Sequence, residues 1–300
     1  MNEAIGAFLE ASVRTATPLA IAALGETVSQ RAGVINLGME GALMAGAFGA
    51  LVGAGAAGAG AGLLVAVASG AVVGVLFAVF SIWLRTDQII TGTALTMLAL
   101  GATGTLYRTV YGARGAGLDT PTLDALSLPG FSSIPLVGQA LFAQPLTTWL
   151  LYALVPLTWW WLYRTHHGLA LRSVGESTEA AAAAGIPPRR TRALAVIVGS
   201  ASGGFAGGAL VLAQAGTFAE GMSAGRGFIA IAIVVLGRWH PVGALLGALL
   251  FGAASALQYL FQAMGWSLPY QIFLALPYLL VLVLLAATRG GGGAPRELGT

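Results

Sequence analysis

Long uncharged runs separated by polar stretches dominate this sequence. Residues 41–84 and 242–288 contain no charged side chain, and each run is long enough for two helices of the roughly 20 residues that cross a bilayer. We expect a turn in the Gly- and Ala-rich residues 53–62 of the first run and another near residues 264–271 of the second. Three further runs each predict one membrane helix: residues 88–107, 146–163 and 193–219.

Two uncharged runs are too short to cross a bilayer alone. They cover residues 15–25 and 227–237, one in each half of the chain, and each adjoins a polar stretch that contains glycine. Interrupted helices in both halves of a membrane protein are a sequence sign of a central substrate path. The pattern therefore predicts an all-α polytopic membrane protein, a helical bundle of eight to ten transmembrane helices of which two are broken or short.

We expect residues 1–300 to form a single transmembrane domain with three notable connections. Residues 109–145 are rich in Gly and Pro and predict an ordered external loop with one short helix. Residues 164–192 carry five arginines and predict a cytoplasmic loop, and the glycine-rich residues 289–300 predict a flexible cytoplasmic tail.

Composition narrows the functional classes. The chain is 57% hydrophobic and 8% charged, whereas soluble domains carry about a quarter charged residues. It has no cysteine, all fourteen basic residues are arginine, and no zinc-site spacing links its three histidines. Without lysine the chain lacks the Gly-Lys-Ser/Thr phosphate loop of an ATPase. We expect a protein that is not an enzyme, holds no metal or cofactor of its own, contacts membrane lipid and does not bind nucleic acid.

Arginine positions predict the orientation, because positive charge is retained in short cytoplasmic loops. If residues 164–192 are cytoplasmic, alternating the spans places ten arginines inside and four outside, with the N-terminus outside and the C-terminus cytoplasmic. Three of the outer arginines are candidate contacts for a soluble partner, although they could equally be ordinary surface residues: Arg108, Arg114 and Arg226.

The basic stretch 164–192 contains a short helix with recognisable ends. Ser177 is a good N-cap, Glu179 lies in the first turn where the helix dipole favours an anion, and Gly185 followed by Pro187 ends the helix. A short alanine-lined helix held by basic flanks at a membrane surface is a shape that another protein can grip.

Polar residues beside the two short runs are candidates for the substrate path. Ionisable groups at membrane depth cost about 2.5–3.5 kcal/mol each on insertion scales and are usually paired or functional. The alternative is that Arg31 pairs with Glu26 or Glu40 and only holds a re-entrant turn. The candidate path residues are Glu26, Gln30, Arg31, Asn36, Glu40 and, in the second run, Phe228.

Three stretches resemble a known family: residues 31–41 (RAGVINLGMEG), 179–185 (EAAAAAG) and 225–247, which begins GRGFIAIAIVVLGRWHPVG. They are similar to the permease subunits of bacterial ABC importers in the branched-chain amino acid, ribose and nucleoside group, and closest to the nucleoside and simple-sugar branch. The resemblance implies inward transport of a nucleoside or simple sugar across the bacterial inner membrane. It also implies that Glu179, Ala180, Ala181 and Gly185 couple the chain to an ATPase.

The resemblance further implies three partners: a cytoplasmic ABC ATPase that binds the ATP, a second permease subunit in a heterodimer, and a periplasmic or lipid-anchored solute-binding protein. Two other functions stay open at this point. One is an ABC permease for branched-chain amino acids. The other is an ion-coupled secondary transporter in which Glu26, Glu40 or Asp87 carries protons.

Overall fold

The computed structural model describes residues 2–112, 120–132, 134, 137–263 and 293–299, with the isolated positions 275, 279 and 283. Most of this part of the chain is helical. The helices are α1 (Asn2–Arg31), α2 (Met39–Phe77), α3 (Gln88–Tyr111), α4 (Gly138–Phe142), α5 (Leu146–Arg164), α6 (His166–Glu176), α7 (Thr178–Ala183), α8 (Pro188–Ala209), α9 (Arg226–Leu236) and α10 (Pro241–Ala263). Short π-helical segments continue α2 over Ala78–Trp83 and α8 over Leu210–Ala215.

Helix α2 is a hairpin of two helices. Ala57 and Gly58 leave the helical conformation, with Gly58 at φ 85°, a value that glycine adopts without a Cβ penalty. Beyond this point the chain folds back, so that a Cβ added at Gly53 would lie 3.0 Å from the Cα of Gly62. The turn predicted within residues 53–62 is confirmed.

Five described helices are long and apolar enough to cross a membrane: Ile5–Arg31, Met39–Trp83, Gln88–Tyr111, Pro188–Ala215 and Pro241–Gln258. The second of these has 45 residues, about 67 Å at 1.5 Å per residue, which is more than twice the hydrocarbon thickness of a bilayer. Its hairpin therefore provides two crossings. The turn expected near residues 264–271, and the helix expected after it, lie outside the described residues.

The first span is not broken, contrary to our expectation. Helix α1 runs without interruption through Glu26 to Arg31, and the non-helical stretch follows it as residues 32–38. The polar residues do not end the helix because Gln30 Nε2 donates to Glu26 Oε1 (2.8 Å) one turn away. The prediction of a short helix in the second run is confirmed, since these residues form the eleven-residue helix α9.

Glycines bring α8 into contact with both halves of the α2 hairpin. A Cβ at Gly46 would lie 2.7 Å from the carbonyl carbon of Gly204, and one at Gly70 would lie 2.6 Å from its Cα. Small residues allow this approach where lipid provides no hydrophobic drive between helices. The centre of the bundle is therefore the α2–α8 contact.

The loop over residues 109–145 contains a short sheet as well as the expected helix. Strands β1 (Ala125–Ser127) and β2 (Ala143–Pro145) pair antiparallel, with Leu126 opposite Gln144, and α4 supplies the helix. The all-α expectation is therefore corrected by one small two-stranded sheet.

Two ends of the bundle can be distinguished by helix α5, which runs from β2 to α6. We call the end with α6 and α7 the hinge face and the end with β1 and β2 the sheet face. We expected residues 289–300 to be a loose tail. Residues 293–299 instead lie on the hinge face, where Glu297 N donates to Gly175 O (2.9 Å) and Gly299 N to Gly33 O (3.0 Å).

Candidate functional site

Helix α7 is a short helix that is closed at both ends. Ser177 Oγ accepts from Ala180 N (3.2 Å) at its start. At its end Gly185 has φ 80°, and Ile186 N donates to Ala181 O (3.0 Å). These contacts satisfy backbone groups that a helix terminus leaves unpaired. The predicted helix is confirmed, together with both of its ends.

The four residues that the family resemblance assigns to coupling do not share one environment. Glu179, Ala180 and Gly185 are exposed and form a surface that a partner can reach. Ala181 is 2% exposed and packs against the chain itself. Ala181 therefore packs α7 against the rest of the chain and does not belong to the exposed surface of the helix.

A basic cavity of about 460 Å³ opens beside α7 on the hinge face. Arg85, Arg189 and Arg192 contribute the positive charge of its lining, and Asp87 contributes a carboxylate. The Asp87 side chain is occupied as the N-cap of α3, accepting from Ile89 N and Ile90 N.

Three of the candidate path residues meet at the connection between α1 and α2. Glu26 is fully buried, and its Oε1 accepts from Gln30 Nε2 (2.8 Å) and from Asn36 N (3.1 Å). Asn36 Nδ2 donates to Ser200 Oγ on α8 (2.8 Å). Gln30 Oε1 accepts from Trp239 Nε1 (2.7 Å). We call Glu26, Gln30 and Asn36, with these two partners, the buried polar cluster.

The buried polar cluster keeps two acceptor atoms without a hydrogen-bond partner among the described residues, Glu26 Oε2 and Asn36 Oδ1. Buried polar atoms are usually satisfied, so each unpaired one needs a physical account. Asn36 Oδ1 can accept a hydrogen bond from a water molecule or a solute, and Glu26 Oε2 can accept one as a carboxylate or donate one as a neutral carboxyl group.

Arg31 does not pair with Glu26 or Glu40, so that expectation is wrong. Its guanidinium donates to the carbonyl of Trp239 (2.7 Å) and to the hydroxyl of Tyr163 (3.1 Å). Residues five apart project from different sides of an α-helix, which turns Arg31 away from Glu26. The side chain therefore ties α1 to α5 and to the turn after α9.

Glu40 joins the two interrupted regions of the chain. Its carboxylate is 4% exposed, and Oε1 accepts from Ser223 Oγ (2.5 Å) and Gly225 N (2.8 Å) while Oε2 accepts from Gly227 N (2.6 Å). Glu40 lies in the first turn of α2, and the two glycine amides begin α9. Helix N-termini carry partial positive charge, so both stabilise this anion. We call this contact the α2–α9 joint.

The remaining path candidate, Phe228, lies outside both contacts. It directly follows Gly227 on α9, and its side chain is 41% exposed. The structure therefore brings Glu26, Gln30 and Asn36 together, gives Glu40 a separate joint, and leaves Phe228 on the surface of the chain.

Trp239, Ser200 and Ser223 hold these contacts and were not predicted. Trp239 has a positive φ of 55°, as does its neighbour Arg238 at 54°, a conformation that L-residues with side chains adopt at a cost. The dipeptide precedes His240 and Pro241, which was a local sign of a tight turn. The two serines have no local signal in the sequence.

On the sheet face Arg108 is engaged in an ion pair. Its Nε and a terminal nitrogen donate to the two oxygens of Glu220 at 2.7 and 2.5 Å, and the side chains are 66% and 35% exposed. The hydrogen bond from Arg108 lowers the pKa of Glu220. Arg226 donates to the carbonyls of Met222 and Ser223, and Arg114 lies outside the described residues.

Within the described ranges no group of His, Cys, Asp and Glu side chains could hold a metal ion. The chemistry of these contacts is that of hydrogen bonding between helices. It can position elements and accept donors, and it provides no paired nucleophile and base.

Comparison with known proteins decides the family. Residues 8–285 match the model of the family described as the branched-chain amino acid transport system permease component. The chain belongs to this family. It is therefore a multi-pass membrane permease subunit, a transport component and not an enzyme.

Three relatives show the kinds of protein that this permease resembles. It is 38% identical to a putative glucose ABC transporter permease protein, TsgC13, of Haloferax volcanii over 87% of this chain and 79% of the relative. It is 34% identical to the guanosine ABC transporter permease protein NupQ of Bacillus subtilis over 95% and 92%. It is 34% identical to the nucleoside ABC transporter permease protein NupC of Lactococcus lactis over 94% and 92%.

Proposed function

We propose that this permease is one of two permease subunits of an ABC importer that moves a nucleoside or simple sugar into the cell. The names of three relatives, which are nucleoside, guanosine and glucose permeases, support this substrate class. A separate ABC ATPase binds and hydrolyses the ATP, and a periplasmic or lipid-anchored protein delivers the solute. The second permease subunit is a different chain, so the pair is a heterodimer.

The observation that carries the coupling role is α7 itself. It is capped at both ends and exposes Glu179, Ala180 and Gly185 beside a cavity lined by arginines. An exposed helix that is capped at both ends and packed against the bundle through Ala181 can move together with a bound partner and displace the bundle. ATP-driven closure of the ATPases then moves the bundle between outward- and inward-open states.

The proposed arrangement in the membrane follows from this role. The hinge face is cytoplasmic and the sheet face external, with the N-terminus outside and the C-terminus inside. Residues 1–300 form one domain of eight to ten membrane helices. Arg108, Arg114 and Arg226 then lie on the side of the solute-binding protein, where Arg108 keeps an exposed side chain.

The proposed path runs past the two contacts that Glu26 and Glu40 make. Because the polar atoms of Gln30 and Arg31 are occupied by protein partners, their role is to hold the helices that line the path. Glu26 Oε2 and Asn36 Oδ1 keep acceptor capacity, and Phe228 offers an exposed ring for a base or sugar. Transporters bind solutes where membrane helices are interrupted, and the non-helical residues 32–38 and the short helix α9 provide such interruptions beside Glu26 and Glu40.

The test of the coupling role uses the complete importer reconstituted in vesicles. Gly185→Ala places a side chain at φ 80° with no atom nearby to clash, so strain in the cap is the main change, about 1–2 kcal/mol. We expect Gly185→Ala and Glu179→Arg to abolish uptake. Both variant permeases should still insert into the membrane but should bind the ATPase more weakly. Normal uptake by both variants would remove the assignment of α7.

One alternative substrate class has support of its own, because the family is described by branched-chain amino acid transport. Uptake of a labelled solute by the importer can be measured in the presence of unlabelled guanosine, glucose or leucine. The compound that inhibits this uptake identifies the substrate class as nucleosides, sugars or branched-chain amino acids. Uptake by this chain alone that depends on a proton gradient, with no ATPase co-purifying, would favour a secondary transporter instead.

A further inference from the structure

The segment 293–299 lies on the hinge face and contacts α6 and the connection between α1 and α2. Glu297 N donates to Gly175 O at the end of α6, and Gly299 N donates to Gly33 O in the connection between α1 and α2. Two backbone hydrogen bonds of 2.9 and 3.0 Å therefore attach this segment to α6, which precedes α7, and to residues 32–38. We call residues 293–299 the strap.

The Glu297 carboxylate closes the N-terminus of α7. Oε1 accepts from Thr178 N (2.9 Å), and Oε2 accepts from Thr178 Oγ1 (2.7 Å). Thr178 is the first residue of α7, and its amide has no partner within the helix. A negative charge at this end is also favoured by the helix dipole. Glu297 thus adds a second cap to the one that Ser177 makes.

Arg192 on α8 completes the contact. Its terminal nitrogen donates to Glu297 Oε2 (3.2 Å) and to Thr178 Oγ1 (3.1 Å), and its Nε donates to Ala32 O (3.2 Å). The Arg192 and Glu297 side chains are 15% and 28% exposed. Partial burial and several shared partners make this ion pair stronger than one on an open surface.

The connection between α1 and α2 fits the strap closely. Gly33 has φ 90°, and a Cβ added there would lie 2.9 Å from the Glu297 carbonyl oxygen and 3.1 Å from Arg192. Three residues further along the same connection, Asn36 N donates to Glu26 Oε1 in the buried polar cluster. A continuous set of contacts therefore runs from α7 through Glu297 to the interior of the bundle.

We propose that the strap transmits movement of α7 to the α1–α2 connection and that Glu297 is its positioning residue. The carboxylate holds α7, α8 and residues 32–38 in one register, so displacement of α7 by an ATPase moves the buried polar cluster as well. This inference rests on the proposed coupling role of α7. It assigns to Glu297 a task that the sequence, with its glycine-rich approach to this segment, did not indicate.

The experiment replaces Glu297 in the assembled importer and measures solute moved per ATP hydrolysed. Glu297→Ala removes the side-chain contacts of the carboxylate, and we expect about a tenfold fall in this ratio. Glu297→Gln keeps the shape and an acceptor for Thr178 N and should recover part of the loss. Thr178→Val removes the shared hydroxyl with little change in volume and should lower the ratio in the same direction.

Arg296→Gln is the matched control on the neighbouring residue. Arg296 lies 4.0 Å from Glu176, with side chains 84% and 53% exposed, and such pairs contribute little. We expect its ratio to equal that of the unaltered importer.

Two results would overturn the strap. One is an unchanged ratio in both Glu297→Ala and Thr178→Val. The other is a loss confined to the amount of assembled complex, with each assembled complex transporting normally, because that is the outcome of a purely structural contact. If the strap variants transport normally while Gly185→Ala is inactive, the coupling role of α7 survives alone. If no ATPase assembles with the unaltered chain, the proposed function itself fails.

Discussion

The α2–α9 joint and the sheet face each hold a carboxylate in strong hydrogen bonds, but in opposite surroundings. Glu40 is 4% exposed, and its three donors are the Ser223 hydroxyl and the amides of Gly225 and Gly227 at the start of α9. Glu220 is 35% exposed, and its donor is the side chain of Arg108. Backbone donors inside the bundle cannot be exchanged for water, whereas an exposed arginine can change partners. The first carboxylate therefore fixes the fold, and the second can take part in a reversible contact.

Glu40→Ala should have the largest effect. It leaves the Ser223 hydroxyl and the amides of Gly225 and Gly227 without an acceptor in a buried place, which costs about 2–5 kcal/mol in total. We expect a clear fall in the midpoint of thermal unfolding of the purified complex and loss of uptake. Glu40→Gln should be intermediate, because its amide nitrogen cannot accept from Gly227 N.

Glu176→Ala on the hinge face controls for the loss of one carboxylate. This side chain is 53% exposed and its ion-pair distance is 4.0 Å, so the unfolding midpoint should stay near that of the unaltered complex. An unchanged midpoint for Glu40→Ala would show that the joint does not hold α9.

Arg108→Gln should leave the unfolding midpoint nearly unchanged and weaken transport, if the sheet face receives the solute-binding protein. The expected readout is a rise in the concentration of binding protein that gives half-maximal uptake, a rise that becomes smaller as salt is added. Because Arg108 lowers the pKa of Glu220, the pair persists above the ordinary carboxyl pKa and is lost only as the pH falls through the lowered value.

A charge swap separates the two roles of Arg108. In Arg108→Glu with Glu220→Arg the ion pair is restored with its direction reversed. Restored uptake would mean that the pair acts only within the chain. Continued loss of uptake would mean that the solute-binding protein contacts the positive charge at position 108.

The predictable parts of this molecule were those with local causes. Ser177, Asp87 and Gly185 end or begin helices through atoms two to five residues away, and the Ala- and Gly-rich turn of the α2 hairpin depends on its own backbone. Side-chain chemistry at these positions determines the conformation before any tertiary contact forms. The sequence is sufficient for such features.

The contacts that build the candidate site were not predictable, because their partners are distant in sequence. Asn36 binds Ser200 across 164 positions, Glu40 binds Ser223 across 183, and Gln30 binds Trp239 across 209. The same reason explains the wrong expectation for α1, since the charge of Glu26 suggested a break. The helix continues because Gln30 and Asn36 supply donors inside the bundle.

His240 gives the smallest expected effect and tests the turn after α9. Partial burial, with the charge of Arg31 nearby, lowers the pKa of its imidazole. The unfolded chain therefore binds a proton at a higher pH than the folded chain does. This contribution to stability is complete above the unfolded value of about 6.5 and is lost as the pH falls below it. The unfolding midpoint should decline slightly more between pH 7 and pH 5.5 for the unaltered complex than for His240→Gln.

The control for this comparison is His166→Gln on α6, where the side chain does not lie in the α9–α10 turn. Because the His166 side chain is exposed, this substitution should leave the unfolding midpoint at pH 7 nearly unchanged. The imidazole of His240 lies 5.3 Å from the Tyr163 ring, and Tyr163 is the residue to which Arg31 donates. A matching slope for His240→Gln and the unaltered complex would mean that protonation of this ring does not weaken the turn or the Arg31 contact beside it.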